Sequence, residues 1–214
     1  MASLSLDNLS GKRCKIYSLS FRIGYTESVL GSSPHAHLRF RWLSQRRGLR
    51  PTIAAVNGIC FGGGCEIIIN CDIVIASPSA TFALPEVKRG VVAIAGALPR
   101  LVRTIGRQRA IEMCLIDRVF TTKEGAEWGL VNKVVNDAVQ GAVDMARMNA
   151  ENSPDAVTVS REGIKMGWEW FGAEEGTRLW QEIWYLRLLA GENVSEGVRA
   201  FVEKRESNWK AAKL

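Results

Sequence analysis

The feature that most constrains the fold is a run of three glycines, Gly62 to Gly64, placed between short apolar segments. PTIAAV precedes the run, and CEIIIN, DIVIA and TFAL follow it. Short apolar and β-branched runs bounded by turn residues are typical of buried strands, and the apolar run directly after the glycines predicts the start of a helix. The alternation of strand, glycine-rich turn and helix therefore predicts an α/β protein.

The later sequence continues this pattern and then changes. AGALPRLVRTIG and RQRAIEMCLI predict two helices separated at Gly106, and VNKVV predicts a strand. NGICFGGG and PEVKRG predict a turn and a loop. Thr121 and Glu124 have the spacing of a capping box, which marks a helix start. After Pro154 the pattern is mostly helical.

These changes predict three parts: an atypical basic N-terminal segment (1–50), an α/β core (51–150) and a helical C-terminal region (151–214). The net charge of +6 comes from the first part, which holds nine Lys or Arg residues against Asp7 and Glu27. Because the remainder is nearly neutral and lacks a basic, aromatic face, nucleic acid is not an expected partner.

Cysteine and histidine do not indicate a metal site. The five cysteines are odd in number and lack CxxC spacing, so neither a disulfide framework nor a zinc site is predicted. His35 and His37 have no nearby ligand cluster and are interpreted as loop residues. No apolar run is long enough to cross a membrane, and no secretory signal opens the chain.

The glycine run can serve two purposes. Glycines at a helix start let backbone N–H groups approach an anion without a side chain in the way, and the helix dipole favours negative charge there. The alternative is that the glycines only allow tight packing of helix against strand. Without further information, Glu66 could be a partner of the helix dipole and Glu86 a solvated loop residue.

A longer pattern favours the first interpretation. IAAVNGICFGGGCEIIINCDIVIAS, ATFALPEVKRGV and LPRLVRTIGRQRAIEMCLIDRVFTTKEGAEWGLVNKVV closely resemble the enoyl-CoA hydratase/isomerase (crotonase) family, and SEGVRAFVEKR extends the resemblance to about residues 50–210. The resemblance implies a ββα spiral, N-terminally incomplete here, with a helical C-terminal region that drives assembly of trimers or hexamers. It implies an acyl-CoA thioester substrate, with coenzyme A part of that substrate and no separate cofactor.

The resemblance also implies site residues. Gly63 matches a backbone N–H donor to an enolate oxygen, and Glu66 and Glu86 match the two carboxylates that flank a water molecule in hydratases. The remaining positions expected to contact substrate are Gly62, Gly64, Ile94 and Gly96.

Two departures affect this interpretation. The family's other oxyanion donor precedes the first core strand, and nothing in residues 1–50 matches its motif. Hydratases carry a glycine-rich turn beside the water, whereas this chain reads AIAGA at residues 93–97, so Ile94 and Ala97 are expected to reshape the acyl pocket.

Hydration of a 2-enoyl-CoA in fatty-acid β-oxidation or secondary metabolism is the function expected from the resemblance. Isomerisation of an enoyl-CoA, and a catalytically silent homologue, remain open alternatives, as does nucleic-acid binding through the basic segment. Ala212, Lys213 and Leu214 resemble a peroxisomal address read by an import receptor. The Arg- and Ser-rich start makes the mitochondrion the alternative compartment.

Overall fold

The computed structural model describes residues 48–214, so the segment predicted to be atypical lies almost entirely outside the described residues. Two compact units make up the described part. The first holds residues 52–145 with Gly48, and the second holds residues 146–214 with residues 49–51. The boundary at residue 150 stays a prediction.

The first unit is built on paired strands. They are β1 (Ile53–Val56), β2 (Ile59–Phe61), β3 (Ile73–Ala76), β4 (Thr81–Ala83), β5 (Phe120–Thr121) and β6 (Lys133–Val134). Among the described residues, β1, β3 and β6 form one parallel sheet, whereas β2, β4 and β5 form a second, with β4 and β5 antiparallel. β1 and β3 lie in the first sheet, and β2 and β4 lie in the second. Because the chain alternates between the two sheets, it winds as the predicted ββα spiral.

Helices complete the turns of this spiral. They are α1 (Gly63–Ile69), a 3-10 helix (Pro85–Arg89), α2 (Ala97–Ile105), α3 (Arg107–Leu115), α4 (Thr122–Glu127) and α5 (Ala138–Ala150). Gly106 separates α2 from α3, as predicted. The predicted capping box is present at the start of α4: the Thr121 hydroxyl accepts the Glu124 N–H at 3.2 Å, and the Glu124 carboxylate accepts the Thr121 N–H at 2.9 Å.

The core of the first unit lies around the buried strands. All four residues of β1 are buried, which is expected of a parallel strand covered on both faces. Large apolar side chains from strands and helices fill the same cluster, among them Ile68, Phe82, Leu84, Leu101, Met113 and Phe120. This packing fixes the strand ends from which the candidate site residues emerge.

The second unit is helical, as the sequence predicts. It contains α6 (Pro154–Glu169), α7 (Ala173–Trp180), a π-helical turn (Gln181–Tyr185), α8 (Leu186–Leu189) and α9 (Glu192–Glu203). The Trp180 indole donates to the Val159 carbonyl at 2.7 Å and lies against Gly163, where a Cβ would come within 2.8 Å of the indole nitrogen. Helix α7 can therefore approach α6 closely because residue 163 has no side chain.

Two local predictions were wrong. NGICFGGG contains the strand β2, which pairs with β4, and local sequence alone does not reveal a pairing partner twenty residues away. PEVKRG forms a 3-10 helix rather than a loop, because Pro85 occupies its first position and Gly90 closes it in the left-handed conformation. Helix α5 was not predicted from the sequence.

Candidate active site

The glycine run joins β2 to α1. Gly62 has φ 56° and ψ −127°, a conformation that residues with a Cβ essentially avoid. Its N–H donates to the Ala83 carbonyl at 3.0 Å, and its carbonyl accepts the Glu66 N–H at 2.9 Å. Gly62 therefore ties the end of β4 to the first turn of α1.

Gly63 and Gly64 form the first turn of α1 and are only partly buried. Amides in a first turn have no acceptor four residues earlier in their own helix. A Cβ at Gly64 would meet only the Cys60 sulfur, at 3.9 Å. Gly63 thus lies in the first turn of α1, and its role as an oxyanion donor stays a prediction.

Glu66 lies in the same first turn and is 4% exposed. Its Oε2 accepts the Ala95 N–H at 2.7 Å, and the Ala97 N–H also hydrogen-bonds to the carboxylate. Burial raises the pKa of Glu66, and the charge of Glu86 raises it further, although the two N–H groups act in the opposite direction. The carboxyl group therefore holds its proton to higher pH than a solvated glutamate does.

Glu86 follows β4 and approaches the glycine run from there. Because β2 and β4 are parallel and Phe61 pairs with Ala83, the residues after both strands emerge at the same sheet edge. Oε1 of Glu86 lies 3.4 Å from the position that a Cβ of Gly62 would occupy. Oε2 is buried and accepts no hydrogen bond from residues 48–214. A buried carboxylate oxygen of this kind is expected to bind water or a ligand.

The turn before α2 supplies the other predicted contacts. The Ala95 N–H donates a hydrogen bond to the Glu66 carboxylate, and Gly96 has φ 97° at the start of α2. Ile94 is 84% exposed in this chain, whereas Ala97 is fully buried. The structure thus brings Glu66, Glu86 and the glycine run together, while the contacts expected of Ile94 and Gly96 with substrate stay predictions.

Cys114, one of the five cysteines, follows Glu86 by 28 residues in the sequence and lies near it on α3. Burial, together with smaller contributions from Cys65 and Glu86, raises the pKa of its thiol to about 11. The thiol is therefore protonated at neutral pH and unreactive. No local motif marks it, because its nearness to Glu86 depends on the packing of α3 against the 3-10 helix.

Comparison with known proteins decides the family. Residues 29–212 match the model of the enoyl-CoA hydratase/isomerase family. The chain belongs to this family. The match includes residues 29–49, ahead of the region in which the sequence analysis found the resemblance.

Relatives within the enoyl-CoA hydratase/isomerase family include a mevalonyl-coenzyme A hydratase of Aspergillus fumigatus, 52% identical over 80% of this chain and 64% of that protein. A mitochondrial enoyl-CoA hydratase of Pongo abelii is 35% identical over 92% of this chain and 64% of that protein. The crystal structure of enoyl-CoA hydratase from Bacillus anthracis superposes with a TM-score of 0.76, at 33% identity, over 83% of this chain and 70% of that one. The chain thus spans 64% of the length of these two curated relatives.

Residues 48–214 show neither a membrane-spanning helix nor a metal-binding cluster. No helix there is both long and apolar enough to cross a membrane. No group of three or more His, Cys, Asp or Glu side chains there could hold a metal ion.

The raised pKa of Glu66 predicts a pH-dependent stability. Its contribution to folding is complete below the ordinary pKa of 4.5 and is lost as the pH rises through the raised value. Glu66→Gln cannot ionise, so the melting temperature of the variant is expected to rise relative to wild type between pH 4.5 and neutrality. Thermal melts across this range, with the exposed Glu127→Gln as control, measure the difference. A difference that stays constant with pH would contradict the assigned burial effect.

Proposed function

We propose that this chain is a hydratase that adds water across the double bond of a 2-enoyl-CoA thioester. The observation that carries the proposal is the meeting of two glutamates at the start of α1: Glu86 lies against Gly62, and its charge raises the pKa of Glu66. General acid and base chemistry on one water requires two such groups within reach of each other. Membership of the family supplies the thioester as the substrate class.

The reaction follows from the placement of these groups. A glutamate accepts a proton as the water oxygen bonds to the β-carbon, and the electron pair of the double bond moves toward the thioester carbonyl. The Gly63 N–H stabilises the resulting enolate oxygen, a contribution that is typically about 3 kcal/mol. A carboxylic acid then donates a proton to the α-carbon, which gives the 3-hydroxyacyl-CoA. The second oxyanion donor would come from residues outside the described range, and coenzyme A enters only as part of the substrate.

The acyl group is proposed to be branched and hydroxylated, like that of mevalonyl-CoA. Two relatives named as mevalonyl-coenzyme A hydratases, from Aspergillus fumigatus and Beauveria bassiana, are 52% and 49% identical to this chain. Fatty-acid β-oxidation of straight-chain substrates is the other assignment. The AIAGA turn at residues 93–97 is the segment expected to decide between them.

Isomerisation of an enoyl-CoA is the second candidate. It is favoured by the burial of Glu66 and by the hydrogen bonds that the Ala95 and Ala97 N–H groups make to its carboxylate. If Glu66 serves only to hold this turn, Glu86 remains as a single acid and base that moves a proton between carbons. If neither glutamate supports turnover, the chain is a catalytically silent homologue.

The proposal extends to assembly and compartment. Large apolar side chains on α8 and α9, including Leu186, Val198, Phe201 and Val202, are more than half exposed, which supports a homotrimer or hexamer formed through the helical region. Ala212 and Lys213 are exposed, as an address read by a peroxisomal import receptor requires. The relatives from Pongo abelii and Dictyostelium discoideum are named as mitochondrial, which supports the alternative compartment.

An absorbance assay of the conjugated thioester tests the proposal. The purified chain is expected to consume short 2-enoyl-CoA substrates, and to consume the dehydrated form of mevalonyl-CoA with a higher kcat/KM. Equal rates on all acyl groups would contradict the assigned specificity. A folded chain without turnover on any of them would overturn the proposed activity.

A further inference from the structure

The 3-10 helix that carries Glu86 has little of its own to hold it in place. None of its five residues is buried. It is closed by two long hydrogen bonds, from the Gly90 N–H to the Val87 carbonyl and from the Val91 N–H to the Glu86 carbonyl, both at 3.2 Å. Such helices have poorer hydrogen-bond geometry than α-helices. The position of Glu86 must therefore be fixed by contacts outside this helix.

Helix α3 provides such a contact at its C-terminal end. It packs against the 3-10 helix, and the chain then turns at Asp117, which has φ 53°. A residue with a Cβ loses about 1–2 kcal/mol in this left-handed conformation, although aspartate tolerates it better than most residues. The Asp117 side chain is only 10% exposed and forms an ion pair with Lys88 of the 3-10 helix.

Among residues 48–214, Lys88 is the cation that pairs with Asp117. Arg118, the next residue, is bound to Glu112 at 2.8 Å and to Glu124 at 2.7 Å. The Asp117 carboxylate is largely withdrawn from solvent, so it favours the conformers of Lys88 that place the ammonium group beside it. Because Lys88 is 64% exposed, the pair contributes little to overall stability.

We propose that Asp117 is a positioning residue: its buried carboxylate, paired with Lys88, fixes the 3-10 helix so that Glu86 stays against Gly62. The backbone at Asp117 is strained. The ion pair with Lys88 links the turn after α3 to the 3-10 helix, which carries Glu86. The expected effect on kcat rests on the proposed function, whereas the effect of Asp117 on the 3-10 helix does not.

Four variants test the catalytic consequence. Asp117→Asn and Lys88→Met are each expected to lower kcat about ten- to a hundred-fold, the range in which small misplacements fall, with little change in KM. The double variant should lose no more than either single one, and Lys88→Arg should retain activity. Lys123→Met removes an exposed ion pair with Glu127 and is the matched control, expected to behave as wild type.

A further variant separates positioning from stability. Asp117→Gly relieves the left-handed strain, so its melting temperature is expected to equal or exceed that of wild type while kcat still falls. A structural role alone would lower both quantities together. Loss of activity only in variants that also melt earlier would overturn the inference.

Hydrogen exchange of the segment 85–91 gives a readout that needs no turnover. Asp117→Asn is expected to exchange this segment at least several-fold faster than wild type, whereas Lys123→Met leaves it unchanged. If neither the wild-type chain nor Glu86→Gln hydrates the substrate, hydrogen exchange still tests whether Asp117 holds the 3-10 helix in place. Unchanged exchange together with unchanged kcat overturns this inference and leaves the proposed function intact.

Discussion

Glu86→Gln is expected to lower kcat for hydration about a hundred- to ten-thousand-fold, the usual effect of removing a general acid or base. Glutamine keeps the size of the side chain and can still lie against Gly62, but it neither accepts the proton of a water nor returns one to the α-carbon. The thioester should still bind, since the proposed mechanism places the carboxylate beside the reacting atoms and not beside the coenzyme A portion. Steady-state kinetics and calorimetric titration with the product thioester measure the two effects separately.

The exposed Glu127→Gln, whose parent side chain is 58% exposed beside Lys123, is the matched control and should retain wild-type kcat. Retained turnover in Glu86→Gln would remove Glu86 from the mechanism. Loss of product binding equal to the loss of kcat would make it a binding residue.

Gly62→Ala is expected to damage both folding and catalysis. The new Cβ would sit 3.4 Å from the Glu86 Oε1, on a backbone with φ 56° and ψ −127°. The backbone conformation alone costs about 1–3 kcal/mol for a residue other than glycine. That loss corresponds to a fall of roughly 2–4 °C in melting temperature per kcal/mol for a chain of this size. Because relief of this backbone strain shifts the turn that leads to Gly63 and lies against Glu86, kcat should fall by about ten-fold or more.

Gly106→Ala separates the two effects. Gly106 has φ 83° and ψ 161°, so alanine is also strained there, but a Cβ would meet nothing within 4 Å. This variant is expected to melt earlier by a similar amount and to keep its kcat. If Gly62→Ala retained full activity, or if both variants lost it equally, the contact between Gly62 and Glu86 would have no catalytic meaning.

Local pattern was sufficient for much of the fold. The runs PTIAAV, DIVIA and TFAL became β1, β3 and β4, and Gly106 divides two helices because no helix continues through its backbone conformation. β2 was missed because ICF is a strand only by virtue of its pairing with β4. The 3-10 helix was missed because its five residues show no periodic apolar face.

The candidate site, like the fold, could be predicted only in part from the sequence. Glu66 and Glu86 were identified from the family resemblance, but their nearness depends on the register that pairs Phe61 with Ala83. The raised pKa of Glu66 depends on burial that no local pattern reports. No local pattern marks Asp117, and only the structure shows its ion pair with Lys88.

The most direct test of the proposed hydration is mass spectrometry of the product formed in water enriched in oxygen-18. The account predicts a 3-hydroxyacyl-CoA that carries the heavy oxygen in its hydroxyl group, formed by wild type and nearly absent with Glu86→Gln. A product of unchanged composition with a shifted double bond would contradict hydration and establish isomerisation instead. Recovery of unaltered substrate from the folded wild-type chain would contradict both activities.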